Sequence, residues 1–273
     1  MKNHYSGRGV IHHPDEPILL AEHIYVRYDG KIALEDLTFH LHAGERVAVV
    51  GPNGAGKSTL FKVVAGLLEP ANGKLNIYGE GPSGHICIGY VPQRSQVDWN
   101  FPVTVADVVM MGRVGKLGLL RWPHSRDWKL VRQSLAEVGL SDLAHRQISE
   151  LSGGQQQRMF IARALAQEAE LLLMDEPLSG LDVHSEQAIF DILEQLRQRK
   201  VTVMVATHDL EQAAENFDRV MLINRRMVGF GKPADVFTSE RLMLAYGGHL
   251  RLVDADNRLV ALADTCCEEG TEE

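Results

Sequence analysis

Residues 45–58 read ERVAVVGPNGAGKS, an apolar run that enters a glycine-rich turn and then a helical pattern. The run 45–50 has the β-branched composition of a buried strand. The turn matches GxxxxGK[ST], in which backbone amides wrap a phosphate at the positive N-terminal end of a helix. We expect Lys57 to reach the β- and γ-phosphates and the Ser58 hydroxyl to ligate Mg²⁺. The alternative, a glycine-rich turn beside an exposed lysine, does not account for the strand and helix that flank it.

A second apolar run also ends in residues suited to phosphate chemistry. Leu171–Asp175 reads LLLMD and is followed by Glu176. A buried strand would deliver Asp175 to the carboxyl edge of the sheet, where ligands gather in open α/β folds. There Asp175 would hold Mg²⁺ through water, and Glu176 would polarise the attacking water as general base. The alternative is an exposed strand end that carries two solvated acids.

The composition is that of an ordinary globular protein, and it argues against some functions. The 273 residues are 45% hydrophobic and 23% charged, with a formal net charge of −8. This charge argues against a nucleic-acid-binding surface, because phosphate backbones call for clustered Lys and Arg. Three cysteines make no disulfide framework and fit a reducing compartment. The polar N-terminus and the absence of a run of about 20 apolar residues predict a cytoplasmic protein.

The order of the predicted elements indicates an α/β fold. We expect strands near 37–41, 45–50, 74–78, 86–91, 171–175 and 201–207, and helices over 57–67, 153–167 and 183–199. Strands that alternate with helices predict a mainly parallel sheet. The segment from about 95 to 150 contains the three tryptophans and a helical spacing, which indicates a helical lobe inserted into the core. Residues 250–263 predict a terminal hairpin, followed by an acidic tail.

The segment Leu151-Ser152-Gly153-Gly154-Gln155 is the most discriminating one in the chain. Ser152 and the glycines would cap a helix whose first N–H groups point at an anion. With this segment the chain resembles the ABC ATPase family, whose signature sequence is LSGGQ. The resemblance implies that Ser152, Gly153, Gly154 and Gln155 contact the γ-phosphate of ATP held by a second subunit. Two ATP molecules would then be sandwiched in a head-to-tail dimer that closes on binding and opens on hydrolysis.

Further family positions match in order along the chain. The resemblance implies that Tyr28 stacks on adenine, that Gln93 senses Mg²⁺ and water, that Asp182 in the loop 179–182 links the two sites, and that His208 contacts the γ-phosphate. Nearby Tyr25 is the alternative to Tyr28 for this role. Thr59 either contacts phosphate or only begins the helix.

The resemblance gathers these positions into three sets. The expected catalytic residues are Lys57, Gln93, Glu176 and His208. The expected Mg²⁺ ligands are Ser58, Gln93 and Asp175. The ATP-binding set is Tyr28, Gly51, Pro52, Asn53, Gly54, Ala55, Gly56, Lys57, Ser58 and Thr59, with ATP and Mg²⁺ as cofactors.

The resemblance also implies a fold and a domain organisation. The fold is a P-loop NTPase (RecA-like) core with a mainly parallel sheet, an antiparallel β subdomain and an inserted α-helical subdomain. The predicted divisions are a flexible arm over 1–16, the ATPase domain over 17–245 with a helical subdomain over about 95–165, and a C-terminal extension over 246–273.

The helical lobe resembles one group within the family. Residues 94–105 and 107–118 are similar to ATPase subunits of bacterial importers for manganese, iron or zinc, with manganese and iron closer than zinc. The resemblance implies docking of membrane permease subunits on this lobe and, indirectly, service to an extracytoplasmic solute-binding protein. It also implies a location at the cytoplasmic face of the membrane. The alternative for Trp99, Phe101 and the nearby valines is ordinary core packing.

Other functions remain as alternatives. An importer for siderophores, cobalamin or another small solute would have the same motifs. A soluble ABC protein acting on nucleic acid or ribosomes is disfavoured by the single set of motifs, the missing heptads and the net charge. A non-hydrolysing ATP-binding module would make Glu176 dispensable. His12-His13 and Cys266-Cys267 would suit a metal, but scattered histidines are usually solvated, and an exposed tail is a poor ligand cage.

Overall fold

The computed structural model describes residues 17–78, 88–117 and 122–247, together with the backbone of a terminal hairpin. The elements in chain order are β1 (Leu19–Tyr28), β2 (Lys31–Leu41), β3 (Arg46–Val50), α1 (Lys57–Val64), β4 (Asn72–Ile77), β5 (Ile88–Val91), α2 (Val105–Met111), α3 (Val114–Leu117), α4 (Ser125–Glu137), α5 (Gly153–Ala166), β6 (Leu171–Asp175), α6 (Val183–Gln198), β7 (Thr202–Thr207), α7 (Leu210–Asn216), β8 (Arg219–Asn224), β9 (Arg226–Gly231), α8 (Pro233–Val236), α9 (Ser239–Tyr246), β10 (Leu250–Ala255) and β11 (Arg258–Ala263).

The central sheet has the strand order β5-β6-β7-β3-β8-β9. The first five strands are parallel, and β9 returns antiparallel to β8 at the edge. Strand β3 shows why the central strands are apolar throughout. Its Val47 and Val49 enter one hydrophobic core, while Ala48 and Val50 enter another on the opposite face. Both faces are covered, as parallel sheets require.

The two cores contain different parts of the chain. On one face, α1 and the antiparallel sheet β2-β1-β4 pack against the central sheet, around the fully buried Phe61. On the other face, α2, α4, α5 and α6 pack around residues such as Met159 and Ile161. The phosphate loop therefore belongs to one core and the helix of the signature segment to the other.

The helices α2 to α5 lie between β5 and β6 in the chain, where the sequence predicts a helical lobe. Helix α2 begins with a capping box in which Thr104 and Asp107 exchange side-chain and backbone hydrogen bonds. A buried arginine, Arg113, joins three parts of this region. It donates from Nε to Asp127 Oδ1 (3.1 Å), and from Nη1 to the Ala166 carbonyl (2.8 Å) and to Glu168 Oε2 (2.7 Å).

The fold class predicted from the sequence is confirmed: an α/β P-loop core, a small antiparallel sheet and a set of inserted helices. The terminal hairpin is also confirmed, with β10 antiparallel to β11. The predicted helix over 57–67 is too long. Helix α1 ends at Val64 because Gly66 takes a left-handed φ of 70°, which stops the helix.

Other predicted boundaries also differ from the observed ones, most of all at β2, which begins at Lys31 and not near residue 37. Several predicted strand and helix ends differ from the observed ones by one or two residues. The division into domains stays a prediction. The arm 1–16, residues 86 and 87 of the predicted strand 86–91, and the pairs His12-His13 and Cys266-Cys267 lie outside the described residues.

Candidate active site

The loop between β3 and α1 is shaped by three glycines. Gly51 approaches the neighbouring strand so closely that a Cβ there would lie 2.1 Å from the Ile223 carbonyl oxygen. Gly54 and Gly56 have φ values of 76° and 98°, a backbone conformation that disfavours side chains. The loop is anchored by the amide of Arg225, which donates to the Ala55 carbonyl at 2.8 Å. This geometry turns the loop back onto the N-terminal end of α1, as phosphate binding requires.

Lys57 is the first residue of α1, and its side chain is buried within the loop. Its Nζ donates to the Gly51 carbonyl at 2.7 Å and to the Pro52 carbonyl at 3.2 Å. Burial lowers the pKa of Lys57, although the nearby carboxylates of Glu176 and Asp175 act in the opposite direction. The ammonium group is thus held at the centre of the site by backbone oxygens.

Strand order brings the chemical groups to one edge of the sheet. Strands β6, β7 and β3 are adjacent and parallel, so their carboxyl ends meet at the same edge. Asp175 ends β6, His208 follows β7, and Gly51 follows β3. The predicted second carboxylate site therefore lies one strand away from the phosphate loop, with His208 between them.

Asp175 is 1% exposed, and its Oδ2 has no hydrogen-bond partner among the described residues. Burial raises the pKa of this carboxyl above its ordinary value, against the hydrogen bond that it accepts from the Ser58 hydroxyl. A buried carboxylate oxygen without a partner is costly unless a cation or donor occupies the position beside it. Asp175 and Ser58 together offer the hard oxygen ligands that Mg²⁺ prefers.

Glu176 has a backbone conformation that is rare for a residue with a side chain. Its φ is 49°, and its amide donates to the Ala206 carbonyl at 3.0 Å. The carboxylate lies 4.0 Å from Lys57 Nζ and accepts a hydrogen bond from Gln93 Nε2 at 3.1 Å. The structure therefore brings Lys57, Gln93 and Glu176 together around a single point.

The signature segment begins α5. Ser152 is the N-cap residue, as its sequence pattern predicts, and it forms a capping box with Gln155. Gly154 packs against the first turn of α6, where an added Cβ would lie 2.5 Å from Ser185 Oγ. Asp182 caps α6 by accepting from the Ser185 amide at 3.0 Å. The predicted communication loop is thus packed against the signature within one chain.

Some predicted site residues stand apart from the cluster around Glu176. His208 is exposed, and Tyr28 is 44% exposed at the end of β1. Neither side chain forms a hydrogen bond with Lys57 or Glu176 within the described parts of the chain. The signature residues lie at the N-terminal end of α5 and make no hydrogen bond to that cluster within the described residues.

Sequence reasoning missed two arginines that connect distant parts of the chain, one of them directly after Gln93. Arg94, directly after Gln93, donates from Nε to Gln156 Oε1 at 2.7 Å, and Arg113 is 5% exposed within its cluster. Gln156 lies 62 residues from Arg94 along the chain, and the partners of Arg113 lie 14 to 55 residues away. The sequence contains only a weak sign that Arg113 is buried: one residue separates it from the apolar helical run that ends at Met111.

The family model described as ABC transporter matches residues 34–179, more than half of the chain. The chain belongs to the ABC transporter family. The manganese transport system ATP-binding protein MntB of Bacillus subtilis is 44% identical over 253 residues, which cover 92% of this chain and 98% of the relative. The zinc transport system ATP-binding protein TroB of Treponema pallidum is 48% identical, with 82% of this chain and 84% of the relative covered.

A solved structure of a putative metal-chelate type ABC transporter in an inward-facing conformation has the same fold. It is 30% identical, covers 92% of this chain and 99% of its own, and superimposes with a TM-score of 0.77. As a member of this family, the ABC protein described here binds ATP and is an ATPase. Within the described residues, each helix is too short or too polar to cross a membrane.

Proposed function

We propose that this ABC protein is the ATP-hydrolysing subunit of an importer for a transition metal, manganese foremost and then iron or zinc. The observation that carries the proposal is the 44% identity to a manganese transport ATP-binding protein along nearly the whole length of both chains. The resemblance of residues 94–118 to manganese and iron systems supports the same substrate class. The metal would be cargo of other subunits, handled away from this chain.

The loop 51–59 would hold the phosphates of ATP, with Lys57 as the charge at their centre. Its contacts to two loop carbonyls keep the ammonium group where the β- and γ-phosphates would lie. Asp175 and Ser58 would hold Mg²⁺, and the buried, unpartnered Oδ2 of Asp175 supports that assignment. Mg²⁺, when bound, neutralises charge on the β- and γ-phosphates.

Glu176 would act as general base for the attacking water. The amide of Gln93 holds its carboxylate by a hydrogen bond of 3.1 Å, which leaves the Gln93 carbonyl oxygen as a ligand for Mg²⁺ or water. His208, at the end of the strand between Asp175 and the phosphate loop, would contact the γ-phosphate. Catalysis of this kind comes from positioning and charge stabilisation, and no covalent intermediate is needed.

A second copy of the chain would complete each site. The N-terminal end of α5, formed by Ser152, Gly153, Gly154 and Gln155, has no hydrogen bond to Lys57 within the described residues and would face the ATP of the second copy. Asp182 would relay between the sites, because it caps α6 directly beside Gly154. Tyr28 suits adenine stacking better than Tyr25, since it is exposed at the strand end while Tyr25 is half-buried within the strand.

The helical lobe would dock the membrane permease. It has an apolar groove of 350 Å³ that includes Trp122, 86% exposed, and Trp128. Apolar aromatic residues of this kind anchor protein interfaces. The lining residues are Asp107, Met110, Met111, Val114, Trp122, Pro123 and Trp128. A cytoplasmic helix of the permease would fill the groove and keep the ATPase at the cytoplasmic face of the membrane, beneath a permease that receives cargo from an extracytoplasmic binding protein.

One observation favours a second candidate function. The solved structure with the TM-score of 0.77 is described as a metal-chelate type transporter. An importer of a chelated metal, such as a siderophore complex, would use the same ATPase site with a different permease.

The experiment that tests the proposal is elemental analysis of whole cells of the native host. Cells would carry the wild type, Lys57→Ala or Lys129→Ala, and grow under limiting manganese, iron or zinc. Lys129 is an exposed lysine on α4 and serves as the matched control. We expect a selective fall in manganese with Lys57→Ala only. A fall in iron that depends on a supplied chelator would favour the second candidate, and unchanged levels of all three metals would refute metal import.

A further inference from the structure

Arg94 follows Gln93 and is bonded to a different part of the molecule. Its Nε donates to Gln156 Oε1 at 2.7 Å, and Gln156 is a buried residue in the first turns of α5. Gln93 at the same time donates to Glu176. Two consecutive residues, about 3.8 Å apart at their Cα atoms, thus contact the general base and the signature helix.

The guanidinium group of Arg94 lies against the start of α5. A Cβ added to Gly153 would lie 2.9 Å from Arg94 Nη1. A cation near the N-terminal end of a helix is disfavoured by the helix dipole. The hydrogen bond to the buried Gln156 therefore accounts for the position of Arg94, since attraction to the helix end cannot.

Trp99 also supports the backbone of the same loop. Its Nε1 donates to the Arg94 carbonyl at 3.0 Å, and its ring packs edge-on to Phe160 of α5 at 5.7 Å between centroids. The loop is thus attached to α5 by two contacts, the hydrogen bond of Arg94 to Gln156 and the ring contact of Trp99 with Phe160. Arg94, Gln93 and Glu176 also line one open cleft of 410 Å³ with Ser95, Trp99 and Ser179.

We propose that Arg94 is a positioning residue that ties the Gln93–Glu176 contact to the signature helix of the same chain. The inference rests on the proposed roles of Glu176 and of the signature in the site of a second copy. When ATP in the second copy engages α5, a shift of this helix moves Gln156 and hence Arg94. Gln93 then moves relative to Glu176, so that closure at one site adjusts the base of the other.

The test is steady-state ATP hydrolysis by the purified full chain, with three single variants, one double variant and a control. Arg94→Ala and Gln156→Ala each remove the link from one side, and Arg94→Lys keeps the charge without the guanidinium geometry. Arg132→Ala changes an exposed arginine on α4. The double variant, with Arg94 and Gln156 both replaced by alanine, should lose as much activity as either single variant, because each change removes the same contact.

We expect Arg94→Ala to lower kcat about 10-fold and to reduce the Hill coefficient for ATP towards one. Binding of ATP to the single chain should stay within about 2-fold of the wild type. The unfolding temperature should fall by only about 3–6 °C, because the buried Gln156 loses one charged partner. Arg94→Lys should recover only part of both losses, and Arg132→Ala should match the wild type.

Three results would overturn the inference. One is a wild-type Hill coefficient of one, and another is unchanged kcat and cooperativity in Arg94→Ala. The third is a loss of kcat accompanied by a proportional loss of ATP binding and stability, which would mean a purely structural role. A wild type without ATPase activity would instead contradict the roles proposed for Glu176 and Lys57, which separates failure of the inference from failure of the proposed function.

Discussion

Replacing Arg113 by methionine should destabilise the protein by about 3–5 kcal/mol. Two of the three acceptors of Arg113, the Asp127 carboxylate and the Ala166 carbonyl, are buried, and hydrogen bonds from a charged group are worth about 1.5–3 kcal/mol each. The third acceptor, Glu168, is half-exposed and keeps Lys116 as a partner, so it adds little. Removal of one member of a buried ion pair typically costs about 3–5 kcal/mol, which agrees with this sum.

The loss should depend on pH in a defined direction. Burial, the largest effect, raises the pKa of Asp127, but the His124 amide and Arg113 together hold it below its ordinary value. The pKa of Glu168 is likewise lowered, because the hydrogen bonds and charges of Lys116 and Arg113 outweigh the effect of burial. A lowered folded pKa gives stability that is present above the unfolded pKa and is lost as the pH falls through the folded one. The difference between variant and wild type should therefore hold from about pH 5 to 8 and shrink below about pH 4.

Urea unfolding followed by tryptophan fluorescence would measure the effect, because Trp128 lies next to Asp127 on α4. Arg199→Met is the matched control, since Arg199 forms an exposed ion pair with Glu137 at 2.9 Å and should cost at most about 1 kcal/mol. A loss below about 1 kcal/mol for Arg113→Met, or a loss that grows at low pH, would refute the reasoning.

Three further predictions concern the site and the docking groove. Glu176→Gln should lower phosphate release at least about 100-fold while nucleotide binding in the same preparation persists; easy turnover would remove Glu176 from its role. Gly154→Ala should abolish most ATPase activity, because its Cβ would lie 2.5 Å from Ser185 Oγ and 2.7 Å from Ser185 Cβ, and adding Ser185→Gly should restore part of it. Trp122→Ser should leave ATPase activity of the purified chain within 2-fold of the wild type but abolish cargo uptake in cells, and normal uptake would exclude the groove from docking.

The phosphate loop was predictable because residues within the loop itself determine its geometry. Gly51, Gly54 and Gly56 stand at fixed spacing, and each provides a backbone shape or a close approach that a side chain would prevent. The capping box of Ser152 and Gln155 is local in the same sense. The alternation of strands and helices predicts a mainly parallel sheet, and in such a sheet Asp175 and the phosphate loop lie at the same edge.

Contacts between distant segments were not predictable. Arg94 and Gln156 are 62 residues apart, and nothing in the periodicity of either segment marks them as a pair. The left-handed backbone of Glu176 is also hidden, because a glutamate does not signal positive φ as a glycine does. The antiparallel return of β9 depends on which sheet edge is free, and only the packed structure decides that.

The division of the apolar residues into two cores, one on each face of the central sheet, has a mechanical consequence. The central sheet separates the two cores: α1 and the phosphate loop pack on one face, and the signature helix α5 packs on the other. Because the two clusters lie on opposite faces of the sheet, a change of packing among the helices of one face leaves the side chains behind the phosphate loop in place. The surface of the helical lobe, which would contact the permease, can therefore vary between relatives while the core behind the phosphate loop stays the same.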